Sequence, residues 1–153
     1  MVKKIKYSDQ RSTFLYLTNI LKRLAAPYEQ QYAEIEDFAR WNLADDIVSD
    51  WQNGEQIISF LFKSKVIGEN SATMLNDLLG RFDEVSYGAP NYEEIIWTLE
   101  SLRDHPFWTE QRRLAKEILT ELERTAPADL IAEAQEMRRT SVRFVAKRDK
   151  KDR

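Results

Sequence analysis

The 153-residue sequence contains no cysteine and a single histidine, His105. Without cysteine there is no disulfide framework, thiolate zinc site, iron–sulfur cluster or cysteine nucleophile. The fold must stand on packing alone, in the manner of proteins from reducing compartments. One histidine leaves no His-Glu-x-x-His or Glu-x-x-His pair for a zinc or di-metal centre. Glycine and proline are scarce, four of each. No glycine-rich phosphate loop and no EF-hand spacing is present. No apolar stretch approaches the roughly 20 residues of a membrane span. The basic start, Met1 to Lys6, is not followed by an apolar run of signal-peptide length. These absences predict a cytoplasmic protein that is not an enzyme, has no cofactor and no metal, and does not enter a membrane.

What is present is charge, unevenly spread. The net charge of −3 conceals basic ends around an acidic middle. Residues 1–24 hold six Lys/Arg against one acid, Asp9, and residues 138–153 hold eight against two. Residues 25–137 hold 9 basic and 23 acidic groups, a net of −14. Charge distribution of this kind bears on partners and encounter rates rather than on fold.

The scarce glycines and prolines punctuate stretches of helical length, and no strand-like alternation is sustained. A first helix is predicted from Ser8 or Asp9 to Ala26, with Phe14, Leu17, Leu21 and Leu24 in one stripe. Pro27 opens a second, to Arg40, and a third covers Leu43 to Trp51. The fourth spans Glu55 to Lys65, with Ile57, Ile58, Leu61 and Phe62 as core. The fifth runs from Ser71 through Leu79, and the polar segment from Gly80 to Pro90 reads as a loop. Asn91, with Glu94 three residues on, has capping-box spacing ahead of Ile95, Ile96, Leu99 and Leu102. The clearest period follows Pro106, from Trp108 to Leu122, and Pro127 opens a last helix through Met137. The fold class is therefore all-α: one compact bundle of about seven to eight helices over residues 1–140. Residues 141–153 read as a basic, flexible tail.

Candidate chemistry is thin. His105 precedes Pro106 at a helix junction and reads as a surface or capping histidine, because a catalytic role needs partners that the spacing does not supply. The basic tail could neutralise phosphates, but the acidic body would be repelled by the same polyanion, so nucleic acid is a poor partner.

The most biased window is 28–55, with eight acids and one base, Arg40. Tyr28, Tyr32, Phe38, Trp41 and Trp51 are interleaved with the acids. Each tryptophan alone reads as core. Together the acids and aromatics read as a face for a basic partner, in which charge speeds encounter and aromatics hold. Glu36, Asp37, Asp45, Asp46 and Asp50 are the predicted electrostatic contacts, with Tyr32 and Trp41 as anchors. A second acidic region, Asp83 and Glu84 with Tyr87 and Tyr92, joins the same face if the helices fold back on one another.

The block Phe38-Ala39-Arg40-Trp41-Asn42-Leu43-Ala44-Asp45-Asp46-Ile47, followed by Asp50 and Trp51, resembles immunity proteins of bacterial toxin systems. So does the helix Trp108-Thr109-Glu110-Gln111-Arg112-Arg113-Leu114-Ala115, over a likeness spanning about residues 28 to 122. It points to the contact-dependent growth inhibition and polymorphic-toxin groups. The resemblance implies a monomeric cytoplasmic inhibitor of one cognate toxin domain, often a basic nuclease. In such pairs acidic groups stand in for nucleic-acid phosphates at the toxin's active site. The basic tail is not part of that pattern. Two other readings remain: a nucleic-acid-associated regulator acting through the basic ends, and a helical adaptor or structural subunit.

Overall fold

A computed structural model describes residues 9–34 and 43–136. Among the described residues the elements are all helical: α1 (Gln10–Ala25), α2 (Tyr28–Ala33), α3 (Leu43–Ser49), α4 (Gly54–Lys63), α5 (Glu69–Val85), α6 (Leu99–Asp104) and α7 (Pro106–Thr125). A 3-10 helix, Glu94–Trp97, precedes α6, and residues 128–136 are helical again. The architecture is an all-α bundle of about seven helices. No helix among these residues is long and apolar enough to cross a membrane.

The centre of the bundle is α1 against α7. Asp9 caps α1 by accepting from the Ser12 N–H at 3.2 Å and from the Ser12 hydroxyl at 2.9 Å. Phe14, Leu17, Leu21 and Leu24 then fall at helical spacing and are fully buried. Across from them lie Trp108, Ala115, Ile118 and Leu122, also fully buried. Pro106 opens α7 at a position that needs no N–H, and His105 Nδ1 accepts from the Phe107 N–H at 3.0 Å. His105 is thus the cap that its place before a proline suggested. Gln31 on α2 is polar yet buried because its amide donates to the carbonyls of Arg23 and Leu24. Those are carbonyls that the end of α1 leaves unpaired. The Gln31 carbonyl accepts from Arg112 of α7 at 2.7 Å, so one side chain ties α1, α2 and α7 together.

The fourth and fifth helices form a close pair. Gly54 opens α4 where a Cβ would come within 2.7 Å of Leu79 Cδ2 on α5. Only glycine lets the backbone approach that closely without moving a neighbour.

Four sequence expectations need correction. α5 does not stop at Leu79 but continues through Gly80 to Val85. Phe82 extends the stripe of Leu75, Leu78 and Leu79 and is buried. Burying it outweighs the cost of about 1 kcal/mol for an exposed glycine in a helix. Asn91 does not cap a helix; Thr98 does, accepting from the Ser101 N–H at 3.1 Å. Ile95 and Phe62 are exposed rather than core, at 61% and 45%. Ile95 sits on a single 3-10 turn whose inward place goes to Ile96, and Phe62 lies one position beyond the Ile57–Ile58–Leu61 stripe of α4. The second helix ends at Ala33 within the described residues, and its predicted continuation to Arg40 falls outside them, as does the basic tail.

Candidate functional site: an acidic, aromatic-walled groove

The acids of α3 and of the turn after it divide between two environments. An α-helix advances about 100° per residue, so successive side chains diverge, whereas positions four apart align. Asp46 and Asp50 are four apart, and both bind Arg23 of α1. Arg23 Nη1 donates to Asp50 Oδ2 at 2.6 Å, and Nη2 pairs with Asp46. Tyr16 of α1 donates its hydroxyl to the Asp50 carbonyl at 2.8 Å. Burial disfavours the Arg23 charge, but Asp50 and Asp46 outweigh it and hold the guanidinium above its ordinary pKa. These two acids therefore join α3 to α1.

Asp45 lies on the other flank and takes no part in that pairing. It stands at the rim of a groove of about 710 Å³, within the range of ligand pockets. One wall is α3 and the turn after it, with Asp45, Val48 and Trp51. The second is the C-terminal half of α5, with Leu79, Phe82 and Asp83. The third is residues 86–98, with Tyr87, Tyr92, Glu94 and Trp97. Partial desolvation at the rim raises the Asp45 carboxyl above its ordinary pKa. Asp45, Asp83 and Glu94 form no ion pair among the described residues.

Two indole bonds hold the third wall in place. Trp97 Nε1 donates to the Val85 carbonyl at the end of α5 (3.1 Å), and Trp108 Nε1 donates to the Ile96 carbonyl (2.7 Å). Between these anchors the chain turns at Gly88, whose φ of +89° suits glycine. The turn presents Tyr87, 90% exposed, edge-on to Tyr92 with ring centroids 5.4 Å apart. Trp51, by contrast, is buried against Phe82, and its Nε1, itself buried, has no hydrogen-bond acceptor among the described residues.

The groove gathers Asp45 and Asp83 from two acidic regions far apart in sequence, as the folding-back of the helices required. Glu84 is exposed beside it but not in its wall. Tyr32 packs against Tyr28 and the core, away from the groove. Glu36, Asp37 and Trp41 lie outside the described residues. Sequence reasoning missed Glu94 and Trp97, which it had placed on a helix. The dipeptide Trp97-Thr98, ahead of a new helical period, was the available sign of a wall followed by a cap.

Chemically, the groove offers negative charge and aromatic faces, and among the described residues that line it no nucleophile is paired with a base. Among the described residues no three His, Asp or Glu side chains group to hold a metal ion. The chain matches no protein-family model, no curated protein and no solved structure.

Proposed function

We propose that this chain is a non-enzymatic inhibitor of the immunity type, which binds and blocks a basic partner protein such as a cognate toxin domain. The observation that carries the reading is the groove, where carboxylates without an ion-pair partner among the described residues stand beside exposed Tyr87, half-buried Tyr92 and two tryptophans. Carboxylates of this kind steer a positively charged surface and speed its encounter. Aromatic faces supply rigid contact area and attract guanidinium and ammonium groups. The exposed Ile95 and Tyr87 beside the groove add apolar surface of the sort that protein interfaces cover. A polyanion is disfavoured at such a site.

The test is co-expression with the products of the genes flanking this one, each assayed for toxicity on its own, followed by stopped-flow association of the purified pair. Growth is expected to be rescued, and the association rate is expected to fall by about tenfold or more between low and high salt. Absence of both rescue and complex would refute the reading.

A further inference from the structure

Asn53-Gly54 is the only Asn-Gly pair in the chain. It lies at the end of the turn over residues 50–53, where α4 begins. Asn53 occupies the cap position, yet its carboxamide makes no capping bond to the helix. Gly54 is buried, and a Cβ there would come within 2.7 Å of Leu79 Cδ2. The packing of α4 on α5 therefore demands glycine after this asparagine. Glycine is also the residue that least hinders attack of its own backbone nitrogen on a preceding carboxamide, because it has no Cβ and turns freely. The contact that seats α4 thus creates a dipeptide prone to cyclise. Two features hold the reaction back. The Gly54 N–H donates to the Trp51 carbonyl at 2.9 Å. The Asn53 ψ of 22° turns the Gly54 nitrogen away from the Asn53 side chain.

We infer that Asn53-Gly54 is a deamidation site of the folded chain, reached by local opening of the turn before α4, and that its isoaspartyl product unseats α4 from α5. Once the turn opens, solvent base takes the Gly54 N–H proton and the nitrogen bonds to Asn53 Cγ. The bond from Cγ to the side-chain nitrogen breaks, and ammonia leaves with a proton from water. The succinimide ring that remains is then hydrolysed. Water adding at Cγ restores the main chain and leaves aspartate. Water adding at the main-chain carbonyl leaves isoaspartate. One water is consumed and one ammonia released, with no change of oxidation state.

The two products differ at the contact with Leu79. Aspartate keeps the backbone, and a carboxylate at the cap can accept from the first N–H groups of α4 and meets the positive end of the helix. Isoaspartate carries the chain through Cβ, so one extra carbon enters the main chain between residues 53 and 54. The bond from the Ile57 N–H to the Asn53 carbonyl, 3.0 Å, then loses its register, and Gly54 leaves its place against Leu79.

The experiment ages the full chain in mildly alkaline buffer, with and without urea, and follows Asn53 by peptide mass spectrometry. A gain of about 1 Da at Asn53 is expected in both, about ten- to a hundredfold slower in the folded chain, the span of a low-cost local opening. Hydrogen exchange of the Gly54 N–H needs the same opening. Its protection should match that slowing within about threefold and fall well below that of Ile118, in the core of α7. Asn53→Gln, whose longer side chain closes a ring far more slowly, should abolish the gain. The aged isoaspartyl form, identified by its methylation with an L-isoaspartyl methyltransferase, should denature at a lower midpoint than the parent, whereas Asn53→Asp should not. No gain in the folded chain over a period about a hundred times that needed in urea would overturn the inference. So would a rate equal to that in urea, or a slowing as large as the protection of Ile118, which would place the opening at global unfolding. An isoaspartyl form with the parent's midpoint would show that α4 stays seated and overturn the second part.

Discussion

Asp45 and Asp46 occupy successive positions on α3 and face different environments. Asp46, with Asp50 one turn on, is bound by Arg23 and holds α3 against α1. Asp45 stands at a groove with no cation beside it among the described residues. One short helix and the turn after it thus use two acids for attachment and leave a third at a groove. An acidic run cannot be counted as a face. Its charges must be assigned one by one to the groups they meet, and here those groups lie on other helices.

The comparison can be broken at its structural side first. Arg23→Ala leaves two partly buried carboxylates without their cation and should lower stability by about 2 kcal/mol, below the range for fully buried pairs because all three groups retain some exposure. Chemical denaturation would show it as a lower midpoint. Tyr16→Phe removes the hydroxyl that donates to the Asp50 carbonyl and should cost about 1 kcal/mol in the same measurement. Asp45→Asn should change stability by less than about 0.5 kcal/mol, since it removes the charge of an exposed side chain that has no ion-pair partner among the described residues. A large loss there would mean that Asp45, like Asp46, is structural, and the contrast between the two flanks would disappear.

The smallest effect lies on α7, where a carboxylate is paired yet half-exposed. Arg113, with Arg81 beside it, holds the Glu110 carboxyl down at about 2. A depressed pKa means stabilisation that is complete above the ordinary value of 4.5 and fades as pH falls toward 2. Acid titration of Glu110→Gln against the parent should therefore show two curves that are slightly apart above pH 4.5 and converge toward pH 2. Curves that stay parallel would show that the pair contributes nothing through its charge.

The sequence revealed the fold wherever burial is periodic and local. The stripes of α1 and α7 repeat over several turns, and Asp9 and Pro106 mark their starts. It was misleading at Gly80, because a glycine stops a helix only when nothing beyond it must be buried, and Phe82 must be. It was misleading at Asn91 because the capping pattern ignored Thr98, seven residues later, which leads the true helix.

The site was half legible. Asp45 and Asp83 announce themselves as acids near aromatics. Nothing local reveals that Arg23, more than twenty positions upstream, consumes Asp46 and Asp50. Nor does a sequence show that a tryptophan, read as core and buried, keeps an N–H without an acceptor among the described residues.

Gly54 gives the groove a back door. Leu79 stands between it and the groove, with its methyl groups against the glycine and its side chain in the wall. A methyl group added at position 54 would meet the mobile end of that leucine rather than backbone, so Leu79 is what must move. Gly54→Ala would act as a shim driven in from behind, altering the shape of the groove while leaving every rim carboxylate where it is. Shape and charge at this surface can therefore be tuned independently, one from inside the bundle and the other from its exterior.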